Sequence, residues 1–460
     1  MTNIRGHFAA LHSSQLRRNT LAGAASAVAG GVIAAVSYPV YLHFLGYQQY
    51  GLWLAVALIL NIAQFGNLGL APAVATHVAE EFARLDFAAI RATVSTALIT
   101  LTAAGLLAVA GVLLLGDYIV GAMRLSPALA RQAHGLLPLV ALLSLYVVQI
   151  ETLSAVLVGL GRLDLSVGTQ VLCRALSLAV SASLLAAGLG VVSLPIANLA
   201  GYALLHLASL ALARRITGHN CLALRGFHFA RLRTLAAFGS GLVACSVMSL
   251  LLGPLNEFTL TRYAGPGTVP LYDLAWSLSM QVRGLFESGF RSLMPEVSRL
   301  AVLGWAESPG RIAAVNRRAI KGIFAIALPA FALVFLVARS GLRLWLGARF
   351  RPEIVPALRV LLAGCFFSLV GVPGYYTLLG LGRIKQIIAC YVAQCGTNAG
   401  LITAFCLLSG KVTTSLTATA AAAGIAAGGM CCLYAATIRP RGGTDRDALL
   451  METSAQEVAR

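Results

Sequence analysis

The sequence predicts an all-α membrane protein of about twelve transmembrane helices, in two six-helix lobes related by a parallel pseudo-repeat. Three observations carry that expectation. Hydrophobic residues make up 58% of the chain and charged ones only 11%, against about 25% charged in a soluble domain. Apolar runs of 20 or more residues recur from Leu21 to Ile438, each long enough to cross a hydrocarbon core of about 30 Å as a helix. A motif that ends the fourth run returns at the end of the tenth. A closed barrel would show short alternating strands instead.

Reading the apolar runs against Gly, Pro and charge places helices near 20–45, 50–77, 91–115, 133–160, 164–187, 190–213, 234–258, 270–296, 319–338, 354–380, 384–408 and 412–437. Arg17 and Arg18 precede the first run, as in a signal peptide. That run continues to about Leu45 without a clear cleavage site, so it reads as a retained helix. The expected organisation is a cytoplasmic segment 1–19, an N-lobe 20–213, a basic linker 214–233, a C-lobe 234–437 and a cytoplasmic tail 438–460. With the N-terminus inside, 22 of the 34 basic residues fall in cytoplasmic segments. The positive-inside rule therefore places both termini in the cytoplasm. Outside, basic residues concentrate at Arg339, Arg343, Arg349 and Arg351. The longest outer loops are expected near 116–132 and 339–353.

The net charge of +18 has no soluble basic domain to carry it, so topology explains it better than a nucleic-acid partner does. Most of the nine cysteines lie inside apolar runs and none forms a spaced metal motif, which points to packing. No metal and no cofactor are expected.

The internal repeat is read residue by residue. Leu157-Val158-Gly159-Leu160-Gly161-Arg162 recurs in the second half as Leu378-Leu379-Gly380-Leu381-Gly382-Arg383. Gly66, Leu70, Pro72 and Val74 match Gly289, Leu293, Pro295 and Val297 at almost the same separation, and Thr20-Leu21-Ala22 with Ser26 matches Thr234-Leu235-Ala236 with Ser240 at a slightly shorter one. Six helices per copy is an even number, so both copies share one orientation and an axis along the membrane normal should relate them.

Leu45-Gly46-Tyr47-Gln48-Gln49-Tyr50-Gly51-Leu52-Trp53, followed by Asn67-Leu68-Gly69-Leu70, resembles the pattern of the polysaccharide and lipid-linked oligosaccharide flippases (Wzx-type) of the multidrug/oligosaccharidyl-lipid/polysaccharide exporter superfamily. Asn67 stands where that family usually has an acid. The second half is similar through Gly265 to Tyr272, Pro295-Glu296-Val297-Ser298-Arg299 and Gly380-Leu381-Gly382-Arg383-Ile384-Lys385. The resemblance spans about residues 19–437. Peptidoglycan-precursor flippases carry fourteen helices and an arginine-rich first-helix pattern that is absent here. The resemblance implies a bacterial inner-membrane flippase for an oligosaccharide repeat unit on undecaprenyl pyrophosphate, working by alternating access in surface or exopolysaccharide biosynthesis. Polysaccharide polymerase and export machinery are the partners it implies.

Ionisable residues within spans cost at least roughly 2.5–3.5 kcal/mol each, so each calls for a partner, a cavity or a function. Arg283, Glu287 and Arg291 share one stripe of the eighth helix at i, i+4 and i+8. The stripe is either a pyrophosphate site, for which the planar guanidinium is suited, or a structural ion pair. A glutamate N-terminal to its base is the better helix pair, so Glu287 should take Arg291 and leave Arg283 free. Glu151 and Arg174 lie almost equally far to either side of the short turn at Arg162 and Leu163 and should meet at matching depth. They read either as a hairpin salt bridge or as a protonatable Glu151 that couples transport to a proton or sodium gradient. Arg174 joins Arg283 and Arg291 as a candidate for pyrophosphate. Glu257 and Asp273 flank the loop after the seventh helix. Each is a possible coupling site, although Asp273, just after Pro270, reads first as a favourable acid at a helix N-terminus. Asn61, Gln64 and Asn67 form a polar stripe at spacing three, suited to sugar hydroxyls or to interhelical packing.

Two other functions stay open. A cation-coupled drug antiporter of the same superfamily would have a cavity richer in carboxylates and aromatics than in arginines. A membrane polymerase or glycosyltransferase would need a sizeable outer loop or an acidic catalytic motif, and the sequence shows neither.

Overall fold

The computed structural model describes residues 2–64, 70–218, 227–287, 290 and 308–437, and these are helical with short connections. The helices are α1 (Thr2–Gln64), α2 (Leu70–Ala83), α3 (Phe87–Ala122), α4 (Pro127–Gly159), α5 (Leu163–Ala186), α6 (Ser193–Thr217), α7 (Phe229–Ala264), α8 (Val269–Glu287), α9 (Ser308–Gly322), α10 (Leu328–Leu346), α11 (Ile354–Gly380), α12 (Ile384–Ser409) and α13 (Thr414–Thr437). Among the described residues, nine helical stretches are long and apolar enough to cross a membrane. The chain is a multi-pass all-α membrane protein. α8 is not among the nine; it has only 19 residues and carries Asp273, Arg283 and Glu287.

Helix ends follow local chemistry. α1 holds the first predicted span and the beginning of the second, to Gln64, separated by a kink at Gly46 with φ 65° and ψ −178°; the rest of the second falls on α2. Gly265, between α7 and α8, has φ 87° and ψ 157°. Only glycine enters that region without a steric penalty. The Leu-Gly-Arg repeat closes α4 and α11 in the same way. Gly161 N–H donates to Val158 O at 2.9 Å and Arg162 N–H to Leu157 O at 2.9 Å; Gly382 N–H donates to Leu379 O at 3.1 Å and Arg383 N–H to Leu378 O at 2.9 Å. Both are Schellman caps with glycine at the left-handed position. The sequence repeat is therefore a repeat of backbone conformation.

α4 and α11, which are equivalent in that repeat, are the hubs of the two halves. α4 packs on α1, α2, α3, α5 and α6, and α11 on α8, α9, α10, α12 and α13. Buried residues make up 56% and 72% of their most apolar stretches, the highest shares among the spans. α11 and α13 approach so closely that a Cβ on Gly371 would collide with the backbone of Gly429, and one on Gly364 with Ala422. Small residues let helix backbones meet where lipid offers no hydrophobic drive to association.

Several boundaries move outward from the sequence expectation. The predicted outer loop 116–132 shrinks to the connection 123–126, because α3 runs past Asp117 to Ala122. Asp117 is almost fully exposed and lies 3.1 Å from His134, so it ends the apolar run without ending the helix. The loop 339–353 contracts to 347–353, and the ninth predicted helix lengthens to 308–346 through a π turn at Ile323–Ala327. α6 extends to Thr217, with Gly218 as a left-handed cap, and α7 begins at Phe229, which shortens the linker at both ends.

Candidate functional site

Among the described residues, each half has a cavity beside its hub helix. The first, of about 460 Å³, is lined by α1, α4, α5 and α6; the second, of about 360 Å³, by α7, α8, α11, α12 and α13. Their linings are in register. Val147, Ile150, Glu151 and Ser154 of α4 line the first, and Ser368, Gly371, Val372 and Tyr375 of α11, their equivalents in the Leu-Gly-Arg repeat, line the second. Gln170 and Cys173 of α5 correspond in the same register to Tyr391 and Gln394 of α12. Asn198, Tyr202 and Leu205 correspond to Ile425, Gly429 and Cys432 at a slightly longer common offset, and Gln64 corresponds to Glu287 in the register that pairs Gly66 with Gly289. Sequence reasoning missed this pairing of cavities, although the repeat offsets that reveal it were legible.

The charges are not duplicated with the walls. In the first cavity Glu151 comes from α4 and Arg174 from α5, so the structure brings this predicted pair to one space. Gly30 of α1 leaves room there, since a Cβ on it would sit 3.3 Å from Arg174 Nη1. In the second cavity both charges come from α8, where Arg283 Nη2 lies 3.3 Å from Glu287 Oε2. The expectation that Arg283 would be left free is thus corrected, while the expected pairing of Glu287 with Arg291 falls on a residue outside the described ones. A base stands four residues from Glu287 on each side in the sequence, so spacing alone does not choose between them. Arg283 Nε is buried and has no hydrogen-bond partner among the described residues. Arg291 and Asn67 lie outside the described residues. Gln64 lines the first cavity, while Asn61 is half-buried on α1 and is not part of the lining.

Asp273 is not an acid of the first turn of α8. Tyr38 Oη of α1 donates to its Oδ2 at 2.5 Å and lies 3.3 Å from Ser277 Oγ. Glu257 of α7 lies close enough to Asp273 to interact with it electrostatically. Around this cluster, at the end that carries the turns at Gly46, Gly265 and Gly347, the halves are bridged repeatedly. Trp345 Nε1 donates to Ala35 O at 2.8 Å, Tyr47 Oη to Arg349 O at 2.6 Å and Arg349 Nη2 to His43 O at 3.0 Å. Arg351 lies over the Tyr47 ring, 4.5 Å from its centroid. A Cβ on Gly51 would overlap Pro266 O. At the opposite end, Arg231 Nη1 of α7 donates to Glu81 Oε1 at 2.5 Å, to Thr93 Oγ1 at 2.5 Å and to Ala89 O at 3.2 Å.

Repeated helical halves, each with a cavity between its helices that holds an arginine and a glutamate, define a polytopic membrane protein with the fold of known transporters. The chain belongs to the polysaccharide biosynthesis protein family, whose model matches residues 16–301. No curated protein matches the chain. Among solved structures, it is similar to an inward-facing multidrug resistance MATE family transporter of the MOP superfamily, with TM-score 0.72 and 16% identity over 88% of this chain and 93% of that one. It is also similar to the lipid II flippase MurJ in an inward closed conformation, with TM-score 0.69 and 13% identity over 92% and 88%. A MOP superfamily transporter from Pyrococcus furiosus Vc1 (DSM3638) gives TM-score 0.62 and 17% identity over 92% and 94%.

Proposed function

We propose that this protein is a flippase that moves an undecaprenyl-pyrophosphate-linked oligosaccharide repeat unit from the inner to the outer leaflet of the bacterial inner membrane. The observation that carries this reading is an arginine in a polar cavity of each half, in a chain of the polysaccharide biosynthesis family. Arg174 is the residue to meet the pyrophosphate. Its guanidinium offers a planar fork of donors for phosphate oxygens, and Gly30 leaves space beside it. Each arginine shares its cavity with a glutamate, Glu151 with Arg174 and Glu287 with Arg283, and the Arg283 pair is a direct contact at 3.3 Å on one helix. Transport runs by alternating access between an N-lobe of 20–213 and a C-lobe of 234–437. In that cycle the contacts at one end break while those at the other hold, with Glu151, Glu257 and Asp273 as the groups that take up a coupling proton or sodium ion. The flipped unit then passes to a polysaccharide polymerase and export machinery.

The second reading, a cation-coupled antiporter, is favoured by one feature. The smaller cavity is lined by Trp276, Tyr375, Tyr376 and Tyr391, and its two charges are paired. Reconstituted vesicles separate the two readings. The flippase should move a fluorescent undecaprenyl-pyrophosphate oligosaccharide between leaflets and leave ethidium where it is. Gradient-driven ethidium transport without lipid flipping would replace the first reading with the second.

A further inference from the structure

We infer that the cavity of the second half is a sugar subsite that receives one pyranose ring. A pyranose carries C–H groups on its faces and hydroxyls around its rim. Its recognition therefore calls for aromatic faces, whose negative π clouds attract the slightly positive C–H groups, together with donors and acceptors placed at the edge. The second cavity has both. Trp276, Tyr375, Tyr376 and Tyr391 line it beside Gln394, Arg283 and Glu287.

The aromatic wall is braced from behind. Trp276 stacks on the fully buried Tyr272, with centroids 6.0 Å apart and planes 24° from parallel. Tyr272 Oη accepts from Asn256 Nδ2 at 2.9 Å, and Asn256 Oδ1 accepts from Asn398 Nδ2 at 3.0 Å, so α7, α8 and α12 hold the indole together. Tyr375 and Tyr376 meet edge to face at 71°. The two walls differ: Tyr375 and Tyr391 stand where the first cavity has Ser154 and Gln170, and the aromatics of the first cavity are Tyr41 and Tyr202 instead.

The ion pair selects hydroxyls over phosphate. An anion drawn to Arg283 is repelled by Glu287 beside it, whereas adjacent hydroxyls of a sugar accept from the guanidinium and donate to the carboxylate at once. Arg283 Nε, buried and without a partner among the described residues, supplies one further donor. A cavity of about 360 Å³ falls at the lower end of the range for small-molecule sites, about 300–1,000 Å³, which suits a single ring better than a whole repeat unit.

The identity of the natural ligand rests on the flippase reading, and the sugar chemistry of the cavity does not. The test is saturation-transfer NMR on the full chain in nanodiscs, with a panel of methyl glycosides of glucose, galactose, rhamnose and N-acetylglucosamine as probes and inorganic pyrophosphate binding measured alongside. At least one glycoside should receive saturation on its ring C–H protons. Tyr375→Leu and Tyr391→Leu should weaken its binding about five-fold, the scale of an aromatic contact, with pyrophosphate binding unchanged and with Tyr391→Phe close to the parent. Should a leucine variant fail to accumulate, Glu287→Gln keeps the shape of the side chain and should weaken the glycoside while strengthening pyrophosphate. Absence of saturation from every glycoside, or equal saturation in the parent and the aromatic variants, overturns the subsite even in vesicles that flip lipid-linked oligosaccharide. Aromatic-dependent glycoside binding in a protein that does not flip overturns the flippase reading and leaves the subsite standing.

Discussion

Tyr38 and Asp273 are far apart in sequence, and the phenol of the first donates to the carboxylate of the second at 2.5 Å. The bond ties α1 of one half to α8 of the other at the end where further bridges gather. A hydrogen bond to a charged group contributes about 1.5–3 kcal/mol. Tyr38→Phe should therefore shift the closed-to-open ratio at this end by roughly ten-fold or more. Spin labels at the exposed positions Phe44 and Tyr263 read the change as a longer distance population. Tyr41→Phe, which loses a bond to Ser181 within its own half, should leave that distribution in place.

At the opposite end Arg231 joins α7 to α2 and α3 through Glu81, with side-chain exposures of 35% and 15%. Losing one partner of a fully buried pair costs about 3–5 kcal/mol, and partial solvent access at Arg231 lowers that to about 1–3 kcal/mol. Glu81→Gln and Arg231→Ala should each lower the melting temperature in detergent. The double exchange Glu81→Arg with Arg231→Glu should recover only part of it, because Thr93 and Ala89 O also accept from the native guanidinium.

Reporters fused after Arg225 and Ala313 should read cytoplasmic, and one after Arg349 periplasmic, as the distribution of basic residues requires. A periplasmic signal at Arg225 would overturn the twelve-helix orientation.

What the sequence disclosed followed from local rules. The glycines at 161 and 382 announced helix ends because a left-handed cap favours glycine, and the same motif located two equivalent hubs. Asp117 misled because a charge interrupts hydropathy without interrupting a helix that is leaving the membrane. The Arg283 pairing stayed hidden because helical spacing allows Glu287 a base on either side. No local pattern reveals Tyr38 with Asp273, whose contact exists only once the halves are docked.

Close packing of α11 on α13 sets a sharp sequence requirement. A Cβ at Gly371 would meet the backbone of Gly429, which cannot rotate away, so Gly371→Val should cost at least about 1–3 kcal/mol. Gly400→Ala is the matched control, since a Cβ there has no neighbour within 4 Å. A thermal scan that shows equal loss in both variants would remove close helix contact as the reason for glycine at 371.

Glu151 and Arg174 face one cavity with opposite charge, and two roles for Glu151 predict different behaviour. If it serves chiefly to neutralise Arg174, Glu151→Gln leaves an uncompensated charge and lowers the amount of protein in the membrane, with a cost of only about 0–1 kcal/mol because both residues are exposed. Exchange of the two residues should then restore part of that amount. If Glu151 carries the coupling ion, Glu151→Gln is isosteric with its protonated form, so abundance should hold while transport loses its dependence on the imposed gradient. Arg174 is tested beside it. Lysine at 174 keeps the charge but loses the planar fork, so flipping of the fluorescent lipid-linked oligosaccharide should fall partway, and Arg174→Ala should abolish it in a protein that still inserts. Leu60, the repeat counterpart of Arg283 and a buried core residue, supplies the control, and Leu60→Ala should leave pyrophosphate binding unchanged. Normal flipping by Arg174→Ala, with membrane abundance equal to the parent, would remove Arg174 from the phosphate site and return the choice to Arg283 and Arg291.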